Sequence, residues 1–360
     1  MMRAALALAR RSLGRTWPNP AVGCVIVRDG EIIARGRTQD GGRPHAEVDA
    51  LRQAGERAKG ATVYVTLEPC SHHGRSPPCA DALVAAGVAR VVSALEDPNP
   101  QVNGQGHARL RAAGIAVEVG EGAAEAAEIN AGFLLRVREG RPLIHLKLAT
   151  SLDGRVATAS GESQWITGPE ARAWGHRLRA THDAILVGAN TVAQDDPDLT
   201  CRLPGLAKYS PVRVVLDSRA RLGPTSKLAA TAHALPVWLI CTPAAPADQR
   251  AVLEALGVEI IEVAADPTGR VDPAAAIGAL GARDIMRLMV EGGGEVAAAF
   301  LKTGKVDRLS IFRGGLALGG DSRSAVGSLA LERLGSAPRF SLVSTRIVGG
   351  DTLETWIRAA

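Results

Sequence analysis

The chain has 360 residues, of which 46% are hydrophobic and 22% are charged, and its formal net charge is +5. This length favours two domains, and the composition is that of an ordinary globular protein. No apolar run is long enough to span a bilayer, so no membrane partner is expected. Aromatic residues make up only 3% of the chain and the arginines are scattered, whereas nucleic-acid-binding proteins cluster both. The positive charge therefore indicates a small phosphorylated partner and no nucleic acid.

The first half of the chain predicts strands that alternate with helices. Residues 1–13 are apolar but carry arginines and no cleavage site, so they predict an amphipathic helix rather than a secretory signal. Asp29-Gly30 is typical of a two-residue hairpin turn between two short strands. The pattern predicts strands at residues 24–27, 31–35, 63–67, 90–95 and 115–119, and helices at residues 45–54, 80–86, 107–113 and 123–137. Such alternation indicates a three-layer α/β domain.

A charged segment with Gly and Pro, residues 138–142, is the predicted domain boundary and divides the chain into residues 1–141 and 142–360. The alternation then restarts, which predicts a second three-layer α/β domain. Its predicted strands are residues 143–148, 184–187, 212–216, 237–241, 258–263, 285–290 and 308–312, with helices at 169–180 and 295–301 and a terminal hairpin at 339–345 and 352–357.

The strongest chemical signal surrounds the strand of residues 63–67. Cys70 follows this strand, and Cys79 lies at the start of the next helix, where the helix dipole favours a thiolate. His45 opens an earlier helix, and Glu47 follows it. His45, Cys70 and Cys79 supply three ligands for one zinc ion and leave a fourth position for water, with Glu47 beside it. This is the zinc deaminase pattern, although eight residues separate the cysteines where many deaminases have two.

Other interpretations of these residues stay open. The two cysteines could form a disulfide, but five cysteines without a secretory signal are typical of thiols or a metal site in a cytoplasmic protein. The other three, Cys24, Cys201 and Cys241, are interpreted as small hydrophobic residues. Glu47 could be a solvated glutamate favoured by the helix dipole. With the zinc ligands in place, it is instead predicted to take the proton of the zinc-bound water and pass it to a leaving amine.

Longer motifs accompany this pattern in both halves. Asn19-Pro20 precedes the loop of residues 70–79 and Asp97-Pro98-Asn99-Pro100 follows it. The second half contains Lys147-Leu-Ala-Thr-Ser-Leu-Asp-Gly154, Gly161-Glu-Ser-Gln-Trp-Ile-Thr167 and Asp195-Asp-Pro-Asp-Leu-Thr200. Together these motifs resemble the bifunctional deaminase/reductase of riboflavin biosynthesis over nearly the whole chain, most weakly at residues 203–234.

The resemblance implies a cytidine-deaminase-like domain followed by a dihydrofolate-reductase-like domain. The implied substrate is 2,5-diamino-6-ribosylamino-4(3H)-pyrimidinone 5′-phosphate. The first domain would hydrolyse its 2-amino group, and the second would reduce the ribosyl unit with NADPH to give 5-amino-6-(5-phosphoribitylamino)uracil. A homo-oligomer, either a dimer or a tetramer, is expected.

For the deaminase domain, the resemblance implies a set of residues that approach the pyrimidine or the ribose phosphate: Asn19, His72, Arg75, Asp97 and Asn99. An asparagine offers both a donor and an acceptor to a base edge, and an arginine is a permanent bidentate donor to phosphate. Asp97 and Asn99 lie beside prolines, so capping of a turn is an equally open interpretation of both.

In the reductase domain, a Gly-rich turn at residues 290–295 opens a helix, where free N–H groups attract phosphate. The resemblance places the NADPH diphosphate against Gly293 to Ala297. This turn is not the G-x-G-x-x-G fingerprint, so a simple turn stays an alternative. Ser218 and Arg219 would hold the adenosine 2′-phosphate. The implied cofactor residues are Ala149, Trp165, Thr191, Asp195, Ser218, Arg219, Gly293, Gly294, Glu295, Val296 and Ala297. The implied substrate residues are Ser163, Arg179, Asp198, Arg202 and Glu291.

Several alternatives remain for this half and for the whole chain. Trp165 could be a core residue, and Arg179 could belong to a solvated basic face with Arg172 and Arg177. A nucleic-acid deaminase with an appended domain would bind RNA in a salt-sensitive way. A non-catalytic zinc module would lack Glu47 or have a closed metal shell.

Overall fold

The computed structural model describes residues 1–72, 77–100 and 102–359. The chain divides into two compact units, Met1–Gly140 and Arg141–Ala360, at the charged segment with Gly and Pro. Each unit has its own sheet. Among the described residues, no helix is both long and apolar enough to cross a membrane.

The first unit is built on one mixed sheet. Its strands are β1 (Gly23–Arg28), β2 (Glu31–Arg37), β3 (Thr62–Val65), β4 (Arg90–Ser93) and β5 (Ala116–Val119). Its helices are α1 (Met2–Arg10), α2 (Ala46–Ala54), α3 (Cys79–Ala85), α4 (Gln105–Ala112), α5 (Ala123–Ile129) and α6 (Ala131–Glu139). The strand order is β2-β1-β3-β4-β5. β1 is antiparallel to β2 and β3, whereas β3, β4 and β5 are parallel.

Helices cover both faces of this sheet. On one face, α1 and α5 pack against β1 and β4 in a cluster that includes Leu6, Val25 and Ile129. On the other face, α2 lies directly on β2, because a Cβ at Gly36 would lie 2.0 Å from the carbonyl oxygen of Ala46. Only glycine permits this approach. The sequence of β2 therefore fixes how close the first turn of α2 lies to the sheet.

Asn130 divides the predicted helix of residues 123–137 into α5 and α6. Its buried Oδ1 accepts a hydrogen bond of 2.9 Å from the Ala21 N–H, and its Nδ2 donates one of 3.1 Å to the Ala21 carbonyl. A side-chain amide that pairs with a distant peptide in this way is not visible to helical periodicity. The pair ties the chain just after Asn19 to the helices of this unit.

The second unit is built on a nine-stranded sheet. The strands of this unit are β6 (Leu143–Thr150), β7 (Arg155–Ala157), β8 (Ala184–Gly188), β9 (Val212–Leu216), β10 (Val237–Cys241), β11 (Val258–Glu262), β12 (Arg287–Val290), β13 (Val306–Arg313), β14 (Arg323–Ser324), β15 (Phe340–Val348) and β16 (Asp351–Arg358). Its helices are α7 (Pro169–Arg179), α8 (Ala189–Asp195), α9 (Lys227–Ala230), α10 (Ala247–Ala255), α11 (Pro273–Ala282) and α12 (Gly294–Lys302).

The strand order of the large sheet is β11-β10-β9-β8-β12-β6-β13-β16-β15, and β7 pairs separately with β14. The strands from β11 to β13 are parallel, and β16 is antiparallel to both of its neighbours. Every residue of β8 and β10 is buried, as expected for parallel strands covered on both faces. Because the carboxyl ends of parallel strands meet at one edge, this edge is the expected position of a ligand site.

Candidate active sites

Three metal-ligating side chains meet in the first unit. His45 is the residue that precedes α2, Cys70 follows β3, and Cys79 is the first residue of α3. His45 Nδ1 lies 3.7 Å from Cys70 Sγ and 3.4 Å from Cys79 Sγ. The Cys79 N–H also donates to Cys70 Sγ at 3.3 Å. The two helix starts and the strand end therefore aim one nitrogen and two sulfurs at a common point.

This arrangement fits zinc. A tetrahedral ion with Zn–S of about 2.3 Å and Zn–N of about 2.0–2.1 Å separates a nitrogen and a sulfur ligand by about 3.6 Å. The observed separations of 3.7 and 3.4 Å bracket that value. All three ligand atoms lie within 4.8 Å of one another. With one imidazole and two thiolates from the protein, a tetrahedral ion retains one position for a small molecule.

Glu47 lies beside these ligands and is only 4% exposed. The alternative of a solvated glutamate therefore does not hold. Burial raises the pKa of Glu47 to about 7, and its carboxyl group shares a hydrogen bond with the Cys79 thiol. A hydrogen bond from Cys79 lowers the pKa of Cys70 to about 4, and the same bond raises the pKa of Cys79. A metal ion at this site would displace any thiol proton, because a coordinating cysteine is a thiolate.

The loop residues implied for the deaminase site are partly brought together. Asp97 is buried, and burial raises its pKa to about 6, against the hydrogen bond from the Asn99 N–H. The Asp97 Oδ1 accepts a hydrogen bond of 2.8 Å from the Asn99 N–H. One oxygen of the Asp97 carboxylate therefore caps the turn, as the alternative interpretation expects. Substrate binding by Asp97 and Asn99 stays a prediction.

Of the other two implied residues, the structure describes Asn19 but not Arg75. Asn19 is partly buried, and a Cβ at Gly42 would lie 2.2 Å from its Nδ2, so the glycine leaves the room that this amide occupies. Arg75 lies outside the described residues.

The second unit contains a cavity of about 1920 Å³ at the carboxyl ends of its parallel strands. Its wall includes Ala149 from β6, Gly188 from β8, and the residues that follow β9 and β12. Of the residues implied for cofactor and substrate, those that line it are Ala149, Ser163, Trp165, Arg179, Thr191, Asp195, Asp198, Arg202, Ser218, Arg219, Glu291, Gly293, Gly294, Glu295 and Val296. The fold thus gathers widely separated motifs around one cavity.

Ala297 differs from the rest of the implied set. It does not belong to the cavity wall. Its side chain is fully buried, and its N–H donates to the Gly293 carbonyl at 3.0 Å. Neither its methyl group nor its N–H is free to meet a cofactor.

Gly292, Gly293 and Gly294, at the start of α12, are required for different physical reasons. A Cβ at Gly292 would lie 2.7 Å from the Cβ of Val296, and one at Gly294 would lie 2.6 Å from the Ser324 carbonyl oxygen. Protein packing therefore demands glycine at both positions. At Gly293 the nearest atom would be Thr191 Oγ1, at 3.9 Å. Of the three glycines, Gly293 is the one whose exposed backbone suits the close approach of a ligand.

Glu291, directly after β12, is the centre of a partly buried ion network. Its Oε1 accepts from Lys147 Nζ at 2.8 Å, and its Oε2 accepts from Arg179 Nε and Nη2 at 3.1 and 3.0 Å. Burial opposes ionisation of Glu291, but the two cations outweigh it and hold its pKa at about 2. Arg179 also donates to the Thr200 carbonyl at 3.0 Å. The Arg179 guanidinium is therefore partly buried and hydrogen-bonded to Glu291 and Thr200, rather than part of a solvated basic face.

The aromatic and adenosine-side candidates are also placed by the structure. Trp165 is 63% exposed and has the Arg172 guanidinium 4.5 Å from its ring centroid, so it is not a core residue. Arg219 is exposed on the cavity wall. The Ser218 hydroxyl accepts a hydrogen bond of 2.9 Å from the Val271 N–H, which means that it already orders the neighbouring loop.

Known proteins match this chain along its whole length. Residues 142–353 match the model of the RibD C-terminal domain, and residues 1–95 match that of the cytidine and deoxycytidylate deaminase zinc-binding region. The riboflavin biosynthesis protein RibD of Escherichia coli (strain K12) is 47% identical over 361 residues, which cover 97% of this chain and 96% of the relative. The chain belongs to the RibD family.

Solved structures of RibD proteins agree. A structure of Acinetobacter baumannii RibD has a TM-score of 0.89 at 40% identity and covers 100% of this chain and 98% of that one. A deaminase/reductase from Thermotoga maritima has a TM-score of 0.86 at 34% identity, covering 99% of this chain and 97% of that one. The predicted fold class, a cytidine-deaminase-like domain followed by a dihydrofolate-reductase-like domain, is confirmed. The chain is a bifunctional RibD protein with a zinc-binding deaminase domain and a reductase domain.

Sequence reasoning missed some residues that this RibD-family structure places at the sites. Lys147 opens the motif of residues 147–154, but the motif does not predict its contact with Glu291. A signal was available, because Lys147 and His145 interrupt the otherwise apolar strand β6, and buried polar residues need partners.

His145 belongs to a buried chain of hydrogen bonds beneath Arg179. The Leu178 carbonyl can only accept, so His182 Nδ1 donates to it at 2.7 Å and its neutral ring must accept at Nε2. His145 Nδ1 donates to that atom at 3.1 Å, and His145 Nε2 then accepts from Ser310 Oγ at 2.8 Å. Two neutral imidazoles therefore join the last turn of α7, which carries Arg179, to β6 and β13.

Proposed function

We propose that this chain hydrolyses the 2-amino group of 2,5-diamino-6-ribosylamino-4(3H)-pyrimidinone 5′-phosphate in its first unit. In the second unit it reduces the ribosyl group with NADPH, which gives 5-amino-6-(5-phosphoribitylamino)uracil. The observation that carries the proposal is the convergence of His45, Cys70 and Cys79 beside the buried Glu47. The name of the Thermotoga maritima protein, a deaminase/reductase acting on these pyrimidines, supports the choice of substrate.

In the deaminase half, His45, Cys70 and Cys79 would hold one zinc ion, which lowers the pKa of a water molecule at its remaining position toward neutrality. Glu47 accepts a proton on its carboxylate and returns it to the amine that leaves the ring, a transfer worth about 10²- to 10⁴-fold in rate. Glu47 is buried, so bulk water competes poorly for that proton. Asn19, His72, Arg75, Asp97 and Asn99 are the proposed contacts to the pyrimidine and its phosphate.

In the reductase half, NADPH supplies a hydride to C1′ of the ribosyl group when it is bound. The reaction also needs one proton, at the sugar oxygen that is released as the C1′–O bond breaks. Lys147 is our candidate donor of this proton, because its ammonium group faces the cavity and is held by Glu291 at 2.8 Å. Glu291 stays ionised, and it orients Lys147 and Arg179 rather than giving up a proton itself.

The remaining residues of the cavity wall bind and orient the two molecules. Gly293 and the first turn of α12 are proposed for the NADPH diphosphate, and Arg219 for its 2′-phosphate. Trp165, Thr191 and Asp195 are proposed cofactor contacts. Ser163, Asp198 and Arg202 are proposed for the ribose phosphate, where Arg202 donates charge-assisted hydrogen bonds.

We further propose a cytoplasmic homo-oligomer. Its five cysteines, all among the described residues, form no disulfide, which is typical of proteins in a reducing compartment. The edge strand β15 exposes Leu342, Val343 and Ile347, and apolar groups along an edge strand favour coverage by another chain. Light scattering should give a mass of at least two chains, and Ile347→Lys should lower it. A wild-type protein that is a monomer would refute the proposed oligomer but not the two proposed reactions.

One assay tests the two reactions together. The zinc-loaded protein receives the diaminopyrimidine phosphate and NADPH, and ammonia release and NADPH absorbance are followed at the same time. Both signals should appear in the wild-type protein. Glu47→Gln should keep zinc, stop ammonia release, and still oxidise NADPH normally when supplied with deaminated substrate. If a folded, zinc-loaded wild-type sample gave neither signal, the proposal would be wrong. If Glu47→Gln abolished reduction of deaminated substrate as well, the two sites would not be separate.

A further inference from the structure

Glu68 lies two residues before Cys70, and its side chain is completely buried. Its carboxylate accepts four backbone hydrogen bonds from one distant segment. Oε2 accepts from the N–H groups of Asp97 and Gly104 at 3.1 and 2.9 Å. Oε1 accepts from those of Gly106 and His107 at 2.8 and 3.2 Å. One carboxylate thus binds the backbone at two places: the start of the turn that carries Asp97 and Asn99, and the first turn of α4.

Three side chains of types that can bind a metal lie together at Glu68, but the Glu68 carboxylate has no lone pair left for a metal ion. Ligand atoms of Glu68, Glu96 and His107 lie within 4.8 Å of one another. A carboxylate offers about four lone-pair directions, and in Glu68 four backbone N–H groups already use them. His107 Nδ1 lies 3.8 Å from Glu68 Oε2, and burial lowers the pKa of this histidine, so it remains a neutral neighbour. The group is an anchor for backbone rather than a second metal centre.

A glycine makes the same junction from the other side. A Cβ at Gly106 would lie 2.0 Å from the carbonyl oxygen of Pro69 and 3.1 Å from Glu68 Oε1. The start of α4 therefore rests directly on the peptide that joins Pro69 to Cys70. The hydrogen bonds to the Glu68 carboxylate and the close packing at Gly106 together leave Asp97, Gly104, Gly106 and His107 little freedom relative to Cys70.

We propose that Glu68 is a positioning residue of the deaminase site: it fixes the segment that carries Asp97 and Asn99 relative to the zinc ligand Cys70. The inference rests on the proposed deaminase function. Glu68 touches neither the zinc ligand atoms nor the proton path through Glu47. Its loss should therefore disturb how the substrate is held, while zinc and Glu47 remain in place.

The test is the kinetics of ammonia release by Glu68→Gln, with Glu96→Gln as the matched control. The amide has nearly the same shape, but its NH₂ group would face two backbone N–H donors. We expect zinc content and NADPH oxidation with deaminated substrate to match the wild type. The KM for the diaminopyrimidine phosphate should rise about ten- to a hundredfold, as expected for lost hydrogen bonds to a charged group, with kcat changed less than KM. Glu96→Gln should leave both constants unchanged.

Other outcomes distinguish the competing explanations. A merely structural role would lower kcat and zinc content together and leave KM unchanged, and that result would overturn the proposal. Loss of a second equivalent of metal in both Glu68→Gln and Glu96→Gln would also overturn it, in favour of a metal site. If Glu68→Gln does not fold, Glu68→Asp keeps the charge on a shorter side chain, and an unchanged KM in that variant would refute positioning.

A double-mutant cycle with Asp97→Ala locates the effect. If Glu68 acts through the Asp97 segment, the increases in KM of the two single variants should not multiply in the double variant, whereas independent effects would multiply and contradict the proposal. Ammonia release by the wild type is measured in the same series. Its absence would mean that the proposed function has failed, whereas a normal wild type with a normal Glu68→Gln variant would mean that only this inference has failed.

Discussion

Lys147 Nζ and Glu291 Oε1 lie 2.8 Å apart in the reductase cavity, with the lysine side chain 14% and the glutamate side chain 17% exposed. Lys147 lies in β6, and Glu291 directly follows the adjacent parallel strand β12, 144 positions further along the sequence. Arg179 holds the second carboxylate oxygen. A carboxylate between two cations is stable as an ion, so this group of three presents a positive, proton-bearing face to the cavity.

We predict that Lys147→Gln lowers the rate of NADPH oxidation by about 10²- to 10⁴-fold, the range typical of a lost general acid. Ammonia release should be unchanged, because the deaminase site lies in the other unit. Ammonia release is measured with the diaminopyrimidine phosphate, and NADPH oxidation is measured with the deaminated substrate. Lys208→Gln, at an exposed lysine that does not line the cavity, is the control. A Lys147→Gln variant with a wild-type reduction rate would remove Lys147 as the proton donor.

The metal prediction concerns stoichiometry. We expect about one zinc per chain by elemental analysis, lost in Cys70→Ser and in Cys79→Ser, because each removes one of three protein ligands. Cys201→Ser should keep its zinc, since Cys201 is buried in the other unit. Equal zinc in all three variants would refute the assignment of the ligands.

The prediction for cofactor choice rests on Arg219. If its guanidinium holds the 2′-phosphate, Arg219→Ala should erode the preference for NADPH over NADH by roughly ten- to a hundredfold, as expected for a lost charged hydrogen bond of about 1.5–3 kcal/mol. The ratio of kcat/KM for the two cofactors measures it. Arg250→Ala, whose arginine pairs with Glu262 away from the cavity wall, should leave the ratio unchanged. An unchanged ratio in Arg219→Ala would place the 2′-phosphate elsewhere.

The buried histidine pair predicts a dependence of stability on pH. Burial, with Arg287 and Arg308 adding to it, lowers the pKa of His145 to about 3, and burial likewise lowers the pKa of His182. Below the ordinary histidine pKa of about 6.5, these two histidines bind protons in the unfolded chain but stay neutral in the native chain. The contribution of the pair is therefore complete above pH 6.5 and is lost progressively as the pH falls toward 3.

Each such histidine contributes up to about 1.4 kcal/mol per pH unit to the free energy of unfolding. Urea unfolding followed by tryptophan fluorescence at pH 8 and at pH 5 measures this slope. His145→Gln should be less stable than the wild type at pH 8, because it breaks the chain to His182, and its stability should fall less between the two pH values. Equal falls in the two proteins would show that the pair does not titrate in this way.

The alternation of strands and helices could be predicted from the sequence, because each element buries one face or both and this leaves a period in the chain. The exceptions are instructive. Asn130 interrupts a helical pattern because its side chain hydrogen-bonds to the backbone of Ala21, 109 positions away. The strands β7 and β14 are too short to show a period. Both depend on partners that are remote in sequence.

The site residues divide in the same way. His45, Glu47, Cys70 and Cys79 could be predicted by the sequence alone, because a zinc site needs particular donor atoms at helix starts and strand ends, and these positions are local. Only the tertiary structure decides that Lys147 pairs with Glu291. It also decides which four N–H groups donate to Glu68. Strand order and helix packing set those distances, and neither is encoded in the spacing of residues along the chain.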